Sequence, residues 1–203
     1  MTRFQVVTRR FALAAVLVMA GAVGTATVAP QVFAGAQTLL FKNKASLQVD
    51  ATSVEFVNDG IPPRDYPHVN HRSQLRFEDA AREWAGGRFQ ITGNSINKLR
   101  ITIKSSDLTE RLLPVKKGVK GWFTKDQSAE YEASLQVELA IIDANGQVLS
   151  SATGGSNNTM TVREDATEAD KQQVWTGMII AAFDLLDTQL EPQVRQVMAK
   201  YIR

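Results

Sequence analysis

The sequence predicts an α+β domain in which a mostly antiparallel sheet of about four strands packs on two helices. Three observations predict this class: a long stretch that alternates apolar and polar residues, an Asn-Gly turn after it, and a long amphipathic stretch near the C-terminus. Strands and helices with one apolar face bury those faces against each other. The expected result is a two-layer sandwich with the element order β-α-β-β-β-α.

The N-terminal residues 1–34 have the three parts of an export signal. A basic start is followed by the apolar stretch Phe11–Val23, and Val32-Phe33-Ala34 offers a cleavage site. The basic residues are Arg3, Arg9 and Arg10. We therefore expect a bacterial periplasmic protein whose residues 35–203 form a single α+β domain, with no transmembrane helix after cleavage.

Two alternatives for this segment remain open. The apolar run Phe11–Ala29 has 19 residues, which is just long enough for an uncleaved anchor. The Arg9-Arg10 pair suggests the twin-arginine route, but Phe11-Ala12-Leu13 fits that signature poorly, so the general secretory route is favoured.

Composition narrows the class of function. The absence of Cys excludes disulfides, thiolate metal sites and a lipid anchor on an N-terminal Cys. The full sequence has a net charge of +2, but residues 35–203 carry 20 Lys and Arg against 21 Asp and Glu, a net charge of −1. The basic character belongs to the signal, so charge gives no support for a nucleic-acid partner.

The first elements are predicted from alternation and from turn residues. A strand runs from Leu47 to Val57 and stops at Asn58-Asp59-Gly60. A helix is expected over Ser73–Ala85, with Gly86-Gly87 as its C-terminal stop. The next strand contains Leu99–Ile103.

The second half gives stronger patterns. Residues 107–110 are compatible with a continued strand or with a turn, and the clearest strand covers Glu130–Ile141. Asn145-Gly146 then predicts a hairpin. A return strand covers Gln147–Ala152 and resumes near Thr159–Arg163 after a break at Gly154-Gly155.

The last predicted element is a helix over Thr167–Leu190. Thr167 and Asp170 have the spacing of a capping box, and Pro192 is expected to break or kink the helix. The apolar face is a central stripe widened by a second row. The stripe is Val174, Met178, Ala181 and Leu185, and the second row is Trp175, Ile179, Ala182 and Leu186.

This order of elements behind an export signal resembles small bacterial envelope accessory proteins, namely the lipopolysaccharide-assembly (LptE-like) and ABC-type transport auxiliary lipoproteins. The residues that carry the resemblance are the Glu130–Ile141 strand, the Asn145-Gly146 hairpin and the acidic start of the Thr167–Leu190 helix. The resemblance implies a fold and a type of partner, and it implies no catalytic residue. The absent lipidated Cys separates this chain from those families.

The charge distribution selects a candidate binding segment. Residues 64–125 have a net charge of +7, and residues 126–203 have a net charge of −7. One interpretation is that the two halves neutralise each other within the fold. The other is a positive binding surface in which lysines lie beside aromatic residues, which suits an anionic lipid, a glycolipid or an acidic envelope complex. Its residues are Lys116, Lys117, Lys120, Trp122, Phe123 and Lys125.

Two histidines offer the only other chemistry. His68 and His71 lie near Asp65 in a proline-rich loop, which gives a weak alternative metal site and a metal-assisted hydrolase. The sequence contains no phosphate-binding glycine loop and no nucleophile elbow. We therefore expect a non-enzymatic accessory or binding protein without a cofactor, docked on a cell-envelope assembly that handles lipid or polymer. A self-associating structural subunit is a third possibility.

Overall fold

The apolar–polar alternation of the sequence forms long strands in the computed structural model, which describes residues 44–114 and 126–203. The predicted export signal therefore lies outside the described residues. The elements in chain order are β1 (Leu47–Val49), β2 (Ser53–Asn58), α1 (Phe77–Arg88), β3 (Phe89–Ile91), β4 (Lys98–Leu112), β5 (Gln127–Ile142), β6 (Val148–Arg163) and α2 (Glu168–Val197), with a short 3-10 turn at Asn70–Arg72 before α1.

The main sheet has four strands in the order β2-β4-β5-β6. β4, β5 and β6 are antiparallel neighbours, whereas β2 is parallel to β4 because α1 lies between them in the chain. The α+β class is confirmed. The prediction of a single first strand over Leu47–Val57 is wrong. β1 pairs with β3 in a separate two-stranded parallel sheet, and only β2 joins the main sheet.

Two strands are longer than the sequence indicated. Residues 107–110 continue β4 rather than forming a turn, because they pair with β5 to the end of the strand. The predicted break at Gly154-Gly155 is also wrong, because both glycines pair with β5 within an unbroken β6. Gly154 instead allows a close approach of α2, since a Cβ there would lie 3.0 Å from Leu190 Cδ1 and 3.1 Å from Leu186 Cδ1.

Helix α1 is shifted toward the C-terminus relative to the prediction. It begins at Phe77 rather than Ser73, and it continues through Gly86 and Gly87 to Arg88. The expected stop fails because Arg88 is held in the interior by partners on α2, which keeps the last turn helical despite the low helix propensity of glycine.

Helix α2 begins as predicted. The Thr167 hydroxyl accepts from the Asp170 amide at 3.2 Å, and the Asp170 carboxylate accepts from the Thr167 amide at 2.8 Å and from the Thr167 hydroxyl at 2.7 Å. The side-chain hydrogen bond, followed by the backbone one, lowers the pKa of Asp170. Pro192 does not end the helix, which continues to Val197.

The apolar layer between sheet and helices is one continuous core. From α2 it takes the second predicted row, because Trp175, Ile179, Ala182 and Leu186 are all buried. Trp175 packs edge-on against Tyr131 of β5, with 5.4 Å between ring centroids. Within the described ranges, no helix has the length and apolar character needed to span a bilayer.

A buried ionic cluster joins α1, α2 and the start of the described chain. Arg88 Nε lies 2.8 Å from Asp187 Oδ1, and its other nitrogens contact Glu191 and the carbonyl of Ala45. The Trp84 indole N–H also donates to Asp187 Oδ1, at 3.2 Å.

Lys44 adds a second cation to this cluster. Its ammonium lies 3.1 Å from Asp187 Oδ2 and 3.1 Å from Asp184 Oδ1. Burial lowers the pKa of Lys44, but the hydrogen bonds and charges of the two carboxylates outweigh burial and leave that pKa raised.

The two carboxylates give a matched test of the cluster. We expect Asp187→Asn to lower the free energy of unfolding by about 2 kcal/mol, because it removes the buried carboxylate shared by Arg88 and Lys44 and leaves Glu191 as the remaining carboxylate partner of Arg88. Asp184→Asn should cost less than about 1 kcal/mol, because its side chain is 61% exposed. Urea denaturation measures both, and equal losses would show that the buried pair has no special role.

Two glycines give a second test, of backbone contact. A Cβ on Gly60 would lie 2.4 Å from Ser105 Cα, so Gly60→Ala should cost at least about 2 kcal/mol. Gly86 lies in α1 with nothing within 4 Å of such a Cβ, so Gly86→Ala should stabilise by about 0.5–1 kcal/mol. Thermal and urea unfolding of both variants test these expected changes in stability. A stabilising effect of Gly60→Ala would contradict the close packing of the loop after β2 on β4.

Candidate functional site

The segment that the sequence selected connects two neighbouring strand ends. Lys116, Lys117, Lys120, Trp122, Phe123 and Lys125 lie outside the described residues. The strands on either side of them are described and are paired to their ends. Leu112 lies opposite Ala129, and the Leu113 amide donates to the Ser128 carbonyl at 2.8 Å. We call residues 115–125 the β4–β5 segment.

The sheet exposes apolar side chains at this end. Leu112 is 66% exposed and Met160 is 49% exposed, although both belong to rows on the helix-covered face. In the same rows Ala129 and Tyr131 are buried. Leu112 on β4 and Met160 on β6 are therefore exposed on either side of the buried β5 residues, near the strand ends that the β4–β5 segment connects.

Ion pairs within the fold neutralise part of the opposite charges carried by residues 64–125 and residues 126–203. Arg72 lies 3.3 Å from Glu168, Arg111 lies 2.6 Å from Glu130, and Arg88 pairs with Asp187. For these three arginines the intramolecular interpretation is confirmed. The lysines of the β4–β5 segment lie outside the described residues, so their role stays a prediction.

The two histidines have different environments. His68 Nδ1 lies 2.8 Å from Asp107 Oδ2, and Asn70 Nδ2 donates to Asp107 Oδ1 at 2.7 Å. His71 is exposed on the surface. Asp65 does not meet His68 through its carboxylate; its backbone carbonyl accepts from the His68 amide at 2.8 Å. Over residues 44–114 and 126–203, no three His, Asp or Glu side chains form a group suited to a metal ion.

The histidine loop instead has a structural contact with the sheet. Past the end of β2, the Val69 amide donates to the Leu108 carbonyl and the Glu110 amide donates to the Pro67 carbonyl, both at 2.8 Å. The loop thus covers the edge of β4 that β2 leaves open. Sequence analysis missed Asp107 as the partner of His68, because the sequence did not decide whether residues 107–110 form a strand or a turn.

A cavity of about 370 Å³ lies between this loop and the start of α1. Its apolar lining includes Leu75, Phe77 and Ile179, and its cationic groups are Arg64 and Arg76, with the His71 imidazole beside them. No pattern in the sequence predicted it, because the lining comes from the loop, from α1 and from α2. The cavity is open and its cations are exposed, which makes it a weaker candidate than a dedicated pocket.

Tyr131 is a further buried polar group near the same sheet end. Its hydroxyl donates to Glu110 Oε1 at 2.6 Å, and its side chain is wholly buried. Burial, followed by the hydrogen bond to Glu110, raises the pKa of Tyr131. The phenol therefore stays protonated and serves to satisfy Glu110 inside the sheet.

Comparison with known proteins gives matches only among solved structures. No family model matches the chain, and no curated protein matches it. Rare lipoprotein B from Shewanella oneidensis is 14% identical, with a TM-score of 0.35, over 68% of this chain and 92% of that chain. A minor lipoprotein from Acinetobacter baumannii is 16% identical, with a TM-score of 0.35, over 73% of this chain and 92% of that one.

A Xanthomonas campestris protein of the DUF330 family is 13% identical, with a TM-score of 0.30, over 75% of this chain and 90% of that chain. Bacterial lipoproteins are therefore among the structural neighbours, and neither the LptE-like nor the transport auxiliary family is singled out. Similarity at this level assigns neither a function nor a site residue to this chain.

The two histidines provide a matched test of this site. We expect His68→Ala to lower the free energy of unfolding by about 1 kcal/mol, because it removes one of the two side-chain partners of the half-buried Asp107 and leaves only the hydrogen bond from Asn70. His71→Ala should change it by less than about 0.5 kcal/mol.

Denaturation curves measure these effects, and metal analysis of the same preparations tests the hydrolase hypothesis. Equal, negligible losses would contradict a structural role for His68. Stoichiometric zinc in the unmodified protein, lost in both variants, would instead support a metal site.

Proposed function

We propose that this chain is an exported, periplasmic accessory protein that recognises an anionic partner on a bacterial envelope assembly handling lipid or polymer. Recognition takes place through the β4–β5 segment, and the protein acts by binding rather than by catalysis. One observation carries the proposal: the sheet end where this segment is inserted exposes the apolar side chains of Leu112 and Met160, which flank buried residues of β5.

The chemistry of the segment suits such a surface. Lys116, Lys117 and Lys120 offer point charges for phosphate or carboxylate groups, and Lys125 adds a fourth. Trp122 and Phe123 offer apolar contact next to them. Leu112 and Met160 enlarge the apolar part, so that charge and apolar area occur together at one end of the molecule.

The rest of the fold gives the segment a rigid base. β4 and β5 are paired from Lys98 to Leu112, and α2 packs across β5 and β6. A segment whose two ends are held by such strands loses less conformational freedom on binding than a free peptide of the same sequence. The predicted export signal places the protein with envelope components, and the partner is expected to be a protein complex, an anionic lipid or a glycolipid rather than nucleic acid.

A charge-reversal experiment tests this function. We expect the joint change of Lys116, Lys117 and Lys120 to Glu to reduce binding to vesicles containing anionic phospholipid at least tenfold, with the circular dichroism spectrum unchanged. Vesicle flotation measures the lipid arm, and crosslinking in cells with partner identification measures the protein arm.

The matched control applies the same charge change elsewhere. Lys98, Lys171 and Arg203 changed together to Glu alter the net charge equally but leave the β4–β5 segment intact. Loss of binding in both triple variants would indicate a general charge effect. Unchanged vesicle binding and unchanged crosslinking in the first triple variant would refute the assignment of the segment.

A further inference from the structure

One edge of the main sheet is an unusually long strand. β6 has 16 residues, and within residues 44–114 and 126–203 it pairs only with β5. Along an antiparallel edge about half of the N–H and C=O groups point away from the paired neighbour. Among the described residues, no backbone hydrogen bond is made to that outer side from Val148 to Val162; at the last residue of β6, the Arg163 carbonyl accepts from the Ala166 amide at 3.1 Å.

The opposite side of the sheet is protected. β2 has only six residues and includes Glu55, which pairs with Arg100 of β4. Beyond the end of β2, the edge of β4 is covered by residues 67–69. Short strands, charges and covering loops are the usual means by which proteins block unwanted pairing at a sheet edge.

β6 lacks this protection. No charged residue and no proline occurs between Val148 and Val162. Its side chains on the outer face of the sheet are mostly small and hydroxylated, and those of Ser151, Thr153, Thr159 and Thr161 are exposed. A second copy of this strand can therefore pair with it without bringing like charges together.

Helix α2 offers an apolar flank above the same edge. Ala182 and Leu186 are buried over the sheet, and Phe183 and Asp187 face Trp84 of α1. Because successive helical residues are about 100° apart, Val174, Ala181 and Leu185 lie on the remaining flank, away from α1. Val174 and Ala181 are half-buried and Leu185 is 42% exposed, so this part of the predicted stripe lacks full burial.

The polar contacts of β6 place this flank beside the open edge. The Ser156 hydroxyl donates to the Ala182 carbonyl at 2.7 Å, and the Asn158 amide donates to the Met178 carbonyl at 3.1 Å. Ser150 reaches the Val197 carbonyl at 2.7 Å. These bonds hold α2 along β6, where Val148, Leu149 and Val197 are exposed as well.

We propose that this edge binds a second copy of the same chain, with β6 antiparallel to β6 of the partner around a two-fold axis. The two four-stranded sheets then join into one sheet of eight strands. Neighbouring strands are about 4.8 Å apart. Because α2 packs over both β5 and β6, each helix lies inward of its own β6, and the two helices are then roughly 10 Å apart, the distance at which helices pack.

A second copy fits better than an unrelated strand for a chemical reason. The occupant must supply an uncharged strand and also an apolar surface that covers Val174, Ala181 and Leu185. A two-fold arrangement supplies both from the same two elements, β6 and α2, since an isologous interface repeats each contact. This proposal is independent of the function assigned to the β4–β5 segment.

Sedimentation velocity of the protein expressed from its full sequence tests the proposal. We expect a dimer at micromolar concentration, and Leu185→Lys and Thr153→Lys should each weaken it at least tenfold with unchanged circular dichroism. Ile96→Lys is the matched control, because Ile96 is 75% exposed and far from β6 in sequence. A protein that is still monomeric at about 100 µM refutes the proposal, because even a weak specific interface would be populated at that concentration.

Single cysteines identify the interface directly, since the chain has no Cys of its own. Cys introduced in turn at each position from Ser151 to Thr159 should give an oxidised dimer at one position, because a two-fold axis brings only one residue directly against its own copy. Ser53→Cys on β2 should give none. Crosslinking through Ser53, or a dimer insensitive to both lysine variants, would overturn the assignment to β6.

Discussion

The buried pair of Arg88 and Asp187 is the interaction on which the helical layer depends. It fixes the last turn of α1 against the middle of α2, and through the Ala45 carbonyl and Lys44 it also holds the chain just before β1. A buried guanidinium is tolerable only with such partners. Because β3 follows Arg88 directly and pairs with β1, the small sheet also depends on this point.

Local sequence patterns predicted an element correctly where one local requirement, such as a single buried strand face or a helix cap, determined its residues. The alternation of Glu130–Ile141 and the Thr167–Asp170 cap are examples, and both occur in the structure. Glycine misled the prediction because it serves packing as well as turns. Gly154 allows Leu186 and Leu190 to approach β6, and Gly86-Gly87 remain helical because Arg88 is anchored beyond them. Such contacts link residues far apart in sequence, so no local pattern indicates them.

The candidate site was likewise predictable only where a local pattern indicated it. Charge counting along the chain selected the β4–β5 segment, but it could not distinguish cations used inside the fold from those available to a partner. Arg72 and Arg111 turn out to pair with acids of the C-terminal half. The link between His68 and Asp107 was equally hidden, since 39 residues separate them and the contact depends on the loop that covers β4.

Helix α2 shows why an amphipathic pattern alone does not define an interface. Its apolar residues form one broad stripe in the sequence, yet the structure divides them between the sheet, α1 and a third flank along β6. The residues that face the sheet pack against β6 at Gly154, and those that face α1 pack against Trp84. On the third flank Val174 packs partly against the core whereas Leu185 is 42% exposed, and this flank lies beside a strand without charges. Two independent features, a neutral edge and an uncovered helix flank, thus coincide along the length of β6, whereas the opposite side of the sheet is short, charged and covered.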